Sequence, residues 1–135
     1  MIKPVTISEI KEALFSINSL KSPGPDGFSA GFFKTSWDII SKDFCRTVLD
    51  FFKTGTMLKQ ANTTLLALIP KKDIVTSVQD FRPISCCTIF YKTVSKILTN
   101  RMKPIMPILV RKEQGTFLAN RNISENIMLS KGLVK

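Results

Sequence analysis

The first apolar residues of the chain recur at helical intervals. Thr6 and Glu9 have the spacing of a capping box, and the apolar positions behind them share one helical face: Ile7, Ile10, Leu14, Ile17 and Leu20. This pattern predicts a helix over residues 7–20. A proline–glycine loop (residues 21–28) follows, and we expect it to be rigid because its two prolines fix φ while its two glycines permit positive φ.

A second helical pattern begins after Ser29. Its aromatic and aliphatic residues are spaced by three or four: Phe33, Trp37, Ile40, Phe44, Val48 and Phe51. The pattern allows a break near Thr35 and Ser36 into a short and a long helix, and Gly55 stands where a C-cap glycine would. The aromatic residues lie on the apolar face of an amphipathic helix, which favours core packing over a base-stacking platform.

The middle of the chain carries a strand pattern. Residues 63–69 are a leucine-rich and β-branched run ended by Pro70, which predicts a buried strand. The polar stretch that continues to Gln79 predicts a turn. Residues 81–86 then predict a second short strand returning beside the first, with Pro83 limiting its hydrogen-bond ladder.

A further helix is predicted from Thr88, its cap, to about Lys103, and Pro104 ends it. The residues expected to point inward are Ile89, Thr93 or Val94, Ile97 and Met102, and those expected on the outer side are Lys92, Lys96, Arg101 and Lys103. Asn122, followed by Glu125, opens a last helix. Because no repeat or linker interrupts the chain, we predict a mixed α/β or α+β unit without an internal boundary, in one domain over residues 1–135. Of the two classes we favour α+β, helix-rich with a short β-hairpin.

The charge of the chain is unusual for a globular domain of this size. Its 135 residues include 20 Lys and Arg against 10 Asp and Glu, a net charge of +10. Up to Ile69 there are 8 basic and 6 acidic residues, and from Pro70 onward there are 12 and 4. Such asymmetry fits a phosphate-binding surface. On charge alone, a solvated basic face with no ligand fits equally well.

Composition excludes several kinds of site. Without any His, the chain has no Ser-His triad, no His general base and no His metal ligand. Cys86 and Cys87 are adjacent, whereas zinc sites space their paired ligands by two to four residues, so we expect no metal site. The unpaired cysteines, together with the lack of a leader or a long apolar run, predict an intracellular protein, nuclear or cytoplasmic, with no signal peptide and no membrane segment.

Two basic residues fall at the ends of the predicted strands. Lys71 leaves the first strand and Arg82 lies on the second, so a two-stranded ribbon would hold an ammonium and a guanidinium over one side. Such a pair suits a triphosphate, because Lys supplies a point charge and Arg a planar fork. Taken from these residues alone, the favoured alternative is that Arg82 pairs with Asp80 or Asp73 while Lys71 is solvated.

Five motifs occur in order along nearly the whole chain. They are KSPGPDGF at residues 21–28, LIPKK at 68–72, DFRPIS at 80–85, then YK at 91–92 with SKIL at 95–98 and NR at 100–101, and finally Gln114, Phe117, Arg121, Asn126 and Ile127. In this order the chain resembles the N-terminal part of the reverse transcriptase domain of LINE-type (non-LTR) retrotransposons, most of all the plant elements. The resemblance implies a partial right-hand polymerase fold, containing the fingers and the first part of the palm.

The resemblance also implies roles for matching residues. Lys71 and Arg82 match the fingers hairpin that grips the triphosphate of the incoming deoxynucleotide. Template or pocket positions are implied for Lys21, Gly24, Gly27, Arg101, Gln114, Phe117 and Arg121, while Asp26 is expected to form a turn. Departures from the family pattern are Thr88 after Cys87, where Asn is common, and Thr116 and Asn120, where Ala and Gly are common. The implied partners are template RNA, RNA–DNA duplex and a deoxynucleoside triphosphate.

The polymerase family also uses paired carboxylates that hold two Mg²⁺ ions. The acidic residues after Ile69 are Asp73, Asp80, Glu113 and Glu125, and none of them is paired or lies in an aromatic-X-Asp-Asp turn. We therefore expect no catalytic residue and no bound cofactor here, and a reverse transcriptase fragment that is inactive alone. The alternatives are a basic nucleic-acid-binding module, or a non-functional relic that exposes a sheet edge and apolar faces.

Overall fold

A computed structural model describes residues 3–110 of the chain, and in them it confirms a mixed helix and strand fold. The elements are α1 (Ile7–Phe15), α2 (Ala30–Thr35), α3 (Trp37–Thr54), β1 (Thr64–Pro70), β2 (Phe81–Cys87), α4 (Ile89–Met102) and α5 (Met106–Leu109), with a 3₁₀ turn at Val78–Asp80. The chain divides into two compact units, Ile2–Ile97 and Leu98–Lys135 with Met1. The predicted extent of a single domain, residues 1–135, stays a prediction.

Helix α1 begins as the sequence predicts and ends earlier. The Thr6 hydroxyl accepts a hydrogen bond of 3.2 Å from the Glu9 amide, which is the predicted cap. The predicted extension to residue 20 is wrong, since the helix ends at Phe15 and Leu20 is 92% exposed. The Asn18 side chain accepts from the Leu20 amide at 2.9 Å, and this local turn competes with helix continuation.

The second helical pattern breaks at the predicted place. Ser29 caps α2 by accepting from the Phe32 amide, and Ser36 separates α2 from α3. Gly55 ends α3 with a φ of 73°, the left-handed conformation expected of a C-cap glycine. The aromatic residues of α3 face the core as predicted, where Trp37 and Phe44 are buried with ring centroids 6.2 Å apart.

The core of the first unit lies among α1, α3 and α4. Its buried apolar residues include Ile10, Leu14, Trp37, Phe44, Val48, Ile89, Val94 and Ile97. Thr88 caps α4, as predicted, by accepting a hydrogen bond of 3.3 Å from the Tyr91 amide. The predicted inward position of Met102 is wrong, because this residue, the last of α4 and part of the second unit, is 41% exposed.

Strands β1 and β2 pair in antiparallel register as a two-stranded hairpin. The prediction that the first strand is buried is wrong, because Leu65 and Leu66 are 56% and 60% exposed. Leucines on successive positions of a strand point to opposite faces, so both faces of the ribbon are exposed. Two strands alone cannot bury both faces of a ribbon, whatever the apolar content of the sequence.

Candidate nucleic-acid interface

The hairpin brings Lys71 and Arg82 to one face. Arg82 pairs directly with Ile69 across the ribbon, and Lys71 follows Ile69 by two residues. Residues two apart share a face, and so do residues directly opposite one another. The backbone amide of Lys71 also donates to the Asp80 carbonyl at 2.7 Å, which extends the pairing by one step. The sequence prediction of one shared side therefore agrees with the register.

The two cations differ in their surroundings. The Lys71 ammonium donates a hydrogen bond of 2.7 Å to the Gln79 carbonyl, so it folds back onto the tip of the hairpin. Within residues 3–110, the exposed Arg82 guanidinium has neither a hydrogen bond nor an ion pair. Among the described residues, Arg82 therefore pairs with neither Asp80 nor Asp73, in contrast to the alternative favoured from the sequence. Lys71 also differs from that alternative, because its ammonium has a hydrogen-bond partner.

Asp80 is the centre of the hairpin tip. Its carboxylate forms an ion pair of 2.8 Å with Lys72 and accepts from the Thr76 amide, the Thr76 hydroxyl and the Ser77 amide at 3.0 to 3.2 Å. The Lys72 ammonium, followed by these hydrogen bonds, holds the pKa of Asp80 below its ordinary value. Because Lys72 takes this carboxylate, the guanidinium of Arg82 is left available for an anion.

The proline–glycine loop is fixed by contacts with the start of α4. A Cβ on Gly24 would stand 2.5 Å from the Thr88 backbone nitrogen and 2.7 Å from the Cys87 carbonyl carbon, so only glycine permits this approach. The Lys92 ammonium donates to the Ser22 carbonyl at 2.7 Å. Both contacts tie the loop to the start of α4, and its rigidity stays a prediction.

Two further residues shape the same loop. Gly27 has a φ of 75°, and its amide donates to the Gly24 carbonyl at 3.0 Å. Asp26 accepts from the Phe28 amide at 3.3 Å, which is the turn-forming role expected of it. Gly24 thus serves close packing and Gly27 serves the turn. Any template contact near this loop would use other groups, such as the exposed side chain of Lys21.

The structure does not bring all the predicted site residues of the first unit together. Lys71 and Arg82 lie near the Pro70–Phe81 end of the hairpin, whereas Gly24 contacts Cys87 at the other end of β2. Cys87 follows Arg82 by five positions along the strand, a distance of about 16 Å. Arg101 lies in the last turn of α4, in the second unit. Gln114, Phe117 and Arg121 lie outside the described residues.

Sequence reasoning missed the structural importance of two residues of the α4 start. Thr88 is buried, and besides capping α4 its hydroxyl donates to the Ala61 carbonyl at 2.9 Å. Lys92 was predicted only as an outer residue, yet it is half-buried and bonded to the loop. The partner of Lys92 is 70 residues away in sequence, so no local pattern could have found it.

The described residues do not fit a Mg²⁺ site. Residues 3–110 contain no group of three or more Cys, Asp or Glu side chains placed to hold a metal ion. The carboxylate of Asp80 is already engaged by Lys72, Thr76 and Ser77. A separate finding is that none of the helices in this part of the chain is both long and apolar enough to cross a membrane.

Comparison with known proteins relates the chain to a transposable element. No family model matches it. It is similar to the transposon TX1 uncharacterized 149 kDa protein of Xenopus laevis, with 31% identity over 131 residues that cover 97% of this chain and 10% of that protein. The chain therefore spans about a tenth of the length of the curated relative that it matches. This similarity supports a transposon-derived origin for the chain.

Proposed function

We propose that the chain is part of the reverse transcriptase of a non-LTR retrotransposon, comprising the fingers and the first part of the palm. Its proposed task is to hold template RNA, RNA–DNA duplex and the triphosphate of an incoming deoxynucleotide. The ordered motifs support this proposal, and so does the similarity to a transposon protein over 97% of the chain. The finer likeness to plant elements stays a prediction.

The observation that carries the proposal is the placement of Lys71 and Arg82. They share one face of an exposed hairpin, and within residues 3–110 the Arg82 guanidinium has no competing carboxylate. An ammonium beside a planar guanidinium can bind several phosphate oxygens at once. The ion pair between Lys72 and Asp80 supports this arrangement, because it neutralises the Asp80 carboxylate at the tip.

Other positions would contribute to the template side. Lys21 would contact the phosphate backbone from the proline–glycine loop, which Gly24 and Gly27 shape. Arg101, Gln114, Phe117 and Arg121 remain proposed template or pocket residues. The exposed position of Lys21, in a loop tied to α4 by Lys92, gives a phosphate contact a fixed starting point.

Binding of labelled single-stranded RNA, measured by fluorescence anisotropy over a salt series, tests the proposal. For a single strand, each cation that pairs with a phosphate contributes about 0.7 to the slope of log affinity against log salt. We expect Lys21→Gln to lower the slope by that amount, because Lys21 is the proposed template contact. Lys71→Gln and Arg82→Gln should instead each weaken binding of a fluorescently labelled deoxynucleoside triphosphate, the ligand proposed for the hairpin. Lys59→Gln, an exposed lysine outside the hairpin, is the matched control and should leave the slope unchanged.

A second candidate function is a nucleic-acid-binding module that binds RNA or RNA–DNA duplex through the basic second half of the chain. It is favoured by the charge of the second half, where 12 basic residues face 4 acidic ones. If RNA binds with a steep salt dependence but a labelled deoxynucleoside triphosphate does not bind, or binds Lys71→Gln and Arg82→Gln as tightly as the unsubstituted chain, the module is correct and the triphosphate role of the hairpin is refuted. Binding of the triphosphate that Lys71→Gln or Arg82→Gln weakens supports the first proposal instead.

We also propose that these 135 residues do not polymerise DNA by themselves. The reason is chemical, because the chain carries no paired carboxylates of the kind that polymerases use to hold two metal ions. A primer-extension assay with the purified chain, an RNA template and Mg²⁺ is the test. Template-dependent incorporation of deoxynucleotides would refute the claim.

A further inference from the structure

A groove lies between α1 and α3, and no residue of the hairpin or of the proline–glycine loop lines it. Its volume is about 560 Å³, and the residues that line it include the apolar side chains of Ile7, Trp37 and Leu49. Its basic lining residues are Lys11, Lys42, Arg46 and Lys53, against a single carboxylate, Asp50. We call it the α1–α3 groove. An apolar floor bordered by cations is the feature that needs an explanation.

The cations of α3 form a row by helical spacing. Lys42 and Arg46 are four residues apart, and Lys53 follows Arg46 after seven, so all three lie on one face with Leu49 between them. From Lys42 to Lys53 the row extends about 16 Å along the helix. Its length suits a partner of about three helical turns.

The charge of this row is not neutralised within the described chain. Across residues 3–110, none of Lys42, Arg46 and Lys53 forms an ion pair, although Asp50 lines the same groove. On α1, the ammonium of Lys11 lies 5.5 Å from the centroid of the Phe15 ring instead of against a carboxylate. The groove therefore offers four cations to an acidic partner.

The apolar floor selects among acidic partners. Ile7 is 61% exposed and Leu49 is half-buried, so both have surface left to cover. A nucleic-acid backbone would pair with the cations and leave this apolar surface in water. A second copy of this chain also carries +10 and would be repelled. An amphipathic helix with Leu or Ile on one face and Glu beside it satisfies the floor and the cations together.

We propose that the α1–α3 groove binds an acidic amphipathic helix of another protein. The inference rests on the exposed apolar and cationic groups that line this groove, and none of the lining residues belongs to the hairpin. The proposal therefore stands independently of the reverse transcriptase assignment. Trp37, the single tryptophan of the chain, lines the groove and supplies an intrinsic reporter of its occupation.

The test uses the full chain and a synthetic helical peptide of about 15 residues, long enough to cover the row. The peptide carries Leu at helical spacing on one face, Glu beside it and no aromatic residue. Its scrambled form keeps the charge and loses the apolar face. We expect the amphipathic peptide to change the Trp37 emission and to bind at least about fivefold more tightly than the scrambled form, because only it covers the floor.

Single variants separate the two contributions. Lys42→Glu and Arg46→Glu should each weaken peptide binding about fivefold, because each places a carboxylate where the peptide's Glu side chains need a cation. Ile7→Ser should weaken it to a similar degree by removing apolar contact. Lys59→Glu makes the same charge change outside the groove and should have no effect. Circular dichroism of each variant confirms that the fold is retained.

Three outcomes would overturn the proposal. The first is no binding of the amphipathic peptide at low salt. The second is equal binding of the scrambled peptide, or an equal loss with Lys59→Glu, which would mean that only net charge matters. The third is single-stranded RNA of the same length displacing the peptide while Ile7→Ser has no effect, which would make the groove a nucleic-acid surface.

Discussion

Gly24 is the residue at which a single added methyl group should matter most. Its Cβ would meet backbone atoms of Cys87 and Thr88 at 2.5 to 2.7 Å, and backbone cannot move aside as a flexible side chain can. We expect Gly24→Ala to lower the free energy of unfolding by about 1–3 kcal/mol, the usual cost of overpacking. Urea unfolding followed by circular dichroism measures the change.

Gly31 is the matched control, because it is also a glycine near a loop but has space. The atoms nearest to its ideal Cβ lie at 3.5 Å or beyond, which is ordinary contact, and it belongs to α2. Gly31→Ala should leave stability unchanged or raise it by up to about 1 kcal/mol. Equal effects at the two glycines would contradict the close approach of the loop to α4.

The contacts of the Asp80 carboxylate determine how we expect the hairpin tip to respond to acid. Lys72 and the amides of Thr76 and Ser77 favour its charged form, so its pKa in the folded chain lies below the ordinary value of 3.8. Because its pKa is lower in the folded chain, the charged Asp80 carboxylate stabilises the fold above pH 3.8. This stabilisation is lost as the pH falls through the folded-state pKa. Ordering of the tip should therefore persist at pH values near 4 and fail in stronger acid.

The amide chemical shift of Ser77, followed by nuclear magnetic resonance during an acid titration, checks this prediction. We expect a midpoint below 3.8. Asp80→Asn removes the charge and should abolish the titration, with loss of the Lys72 ion pair. A midpoint at or above the ordinary carboxyl value would show that these contacts do not persist in solution.

At the scale of elements, the exposed hairpin differs sharply from the helical core. Leu66 on β1 is 60% exposed and Leu14 on α1 is fully buried, so the same substitution tests both environments. Leu14→Ala should cost about 2–5 kcal/mol through lost burial and a cavity. Leu66→Ala should cost less than about 1 kcal/mol, since little burial is lost. Chemical denaturation of both variants measures the contrast. A cost at Leu66 equal to that at Leu14 would mean that the hairpin is covered.

Sequence patterns anticipated the elements whose signals are local. The caps at Thr6 and Gly55, the helix start after Ser29 and the break before α3 depend on residues a few positions apart, and each is found in the structure. Burial of β1 was not predictable in this way, because apolar content does not say whether another element packs on a strand. In the structure, Leu65 and Leu66 of this strand remain more than half exposed.

The geometry of the candidate site was likewise predictable only where it depends on residues close in sequence. The sequence placed Lys71 and Arg82 on one side of a ribbon, since strand alternation and a short turn determine that geometry. It could not place Lys92 on the Ser22 carbonyl or Gly24 against Thr88, because both contacts join segments more than 60 residues apart. Roles of residues beyond 110 stay predictions from resemblance.

At the scale of the molecule, the decisive question is whether the described core melts as one body. Trp37 reports on it, since it is buried on α3 with its ring 5.7 Å from that of Phe15 on α1 and 6.2 Å from that of Phe44. A cooperative core should lose the Trp37 fluorescence signal and the helical circular dichroism signal in one thermal transition. Coincident melts would exclude a relic without fixed packing. A gradual loss of the helical signal would favour the relic, because helices without fixed packing do not melt together. Trp37 emission typical of a solvated indole at low temperature would favour it too, because Trp37 is buried in a packed core.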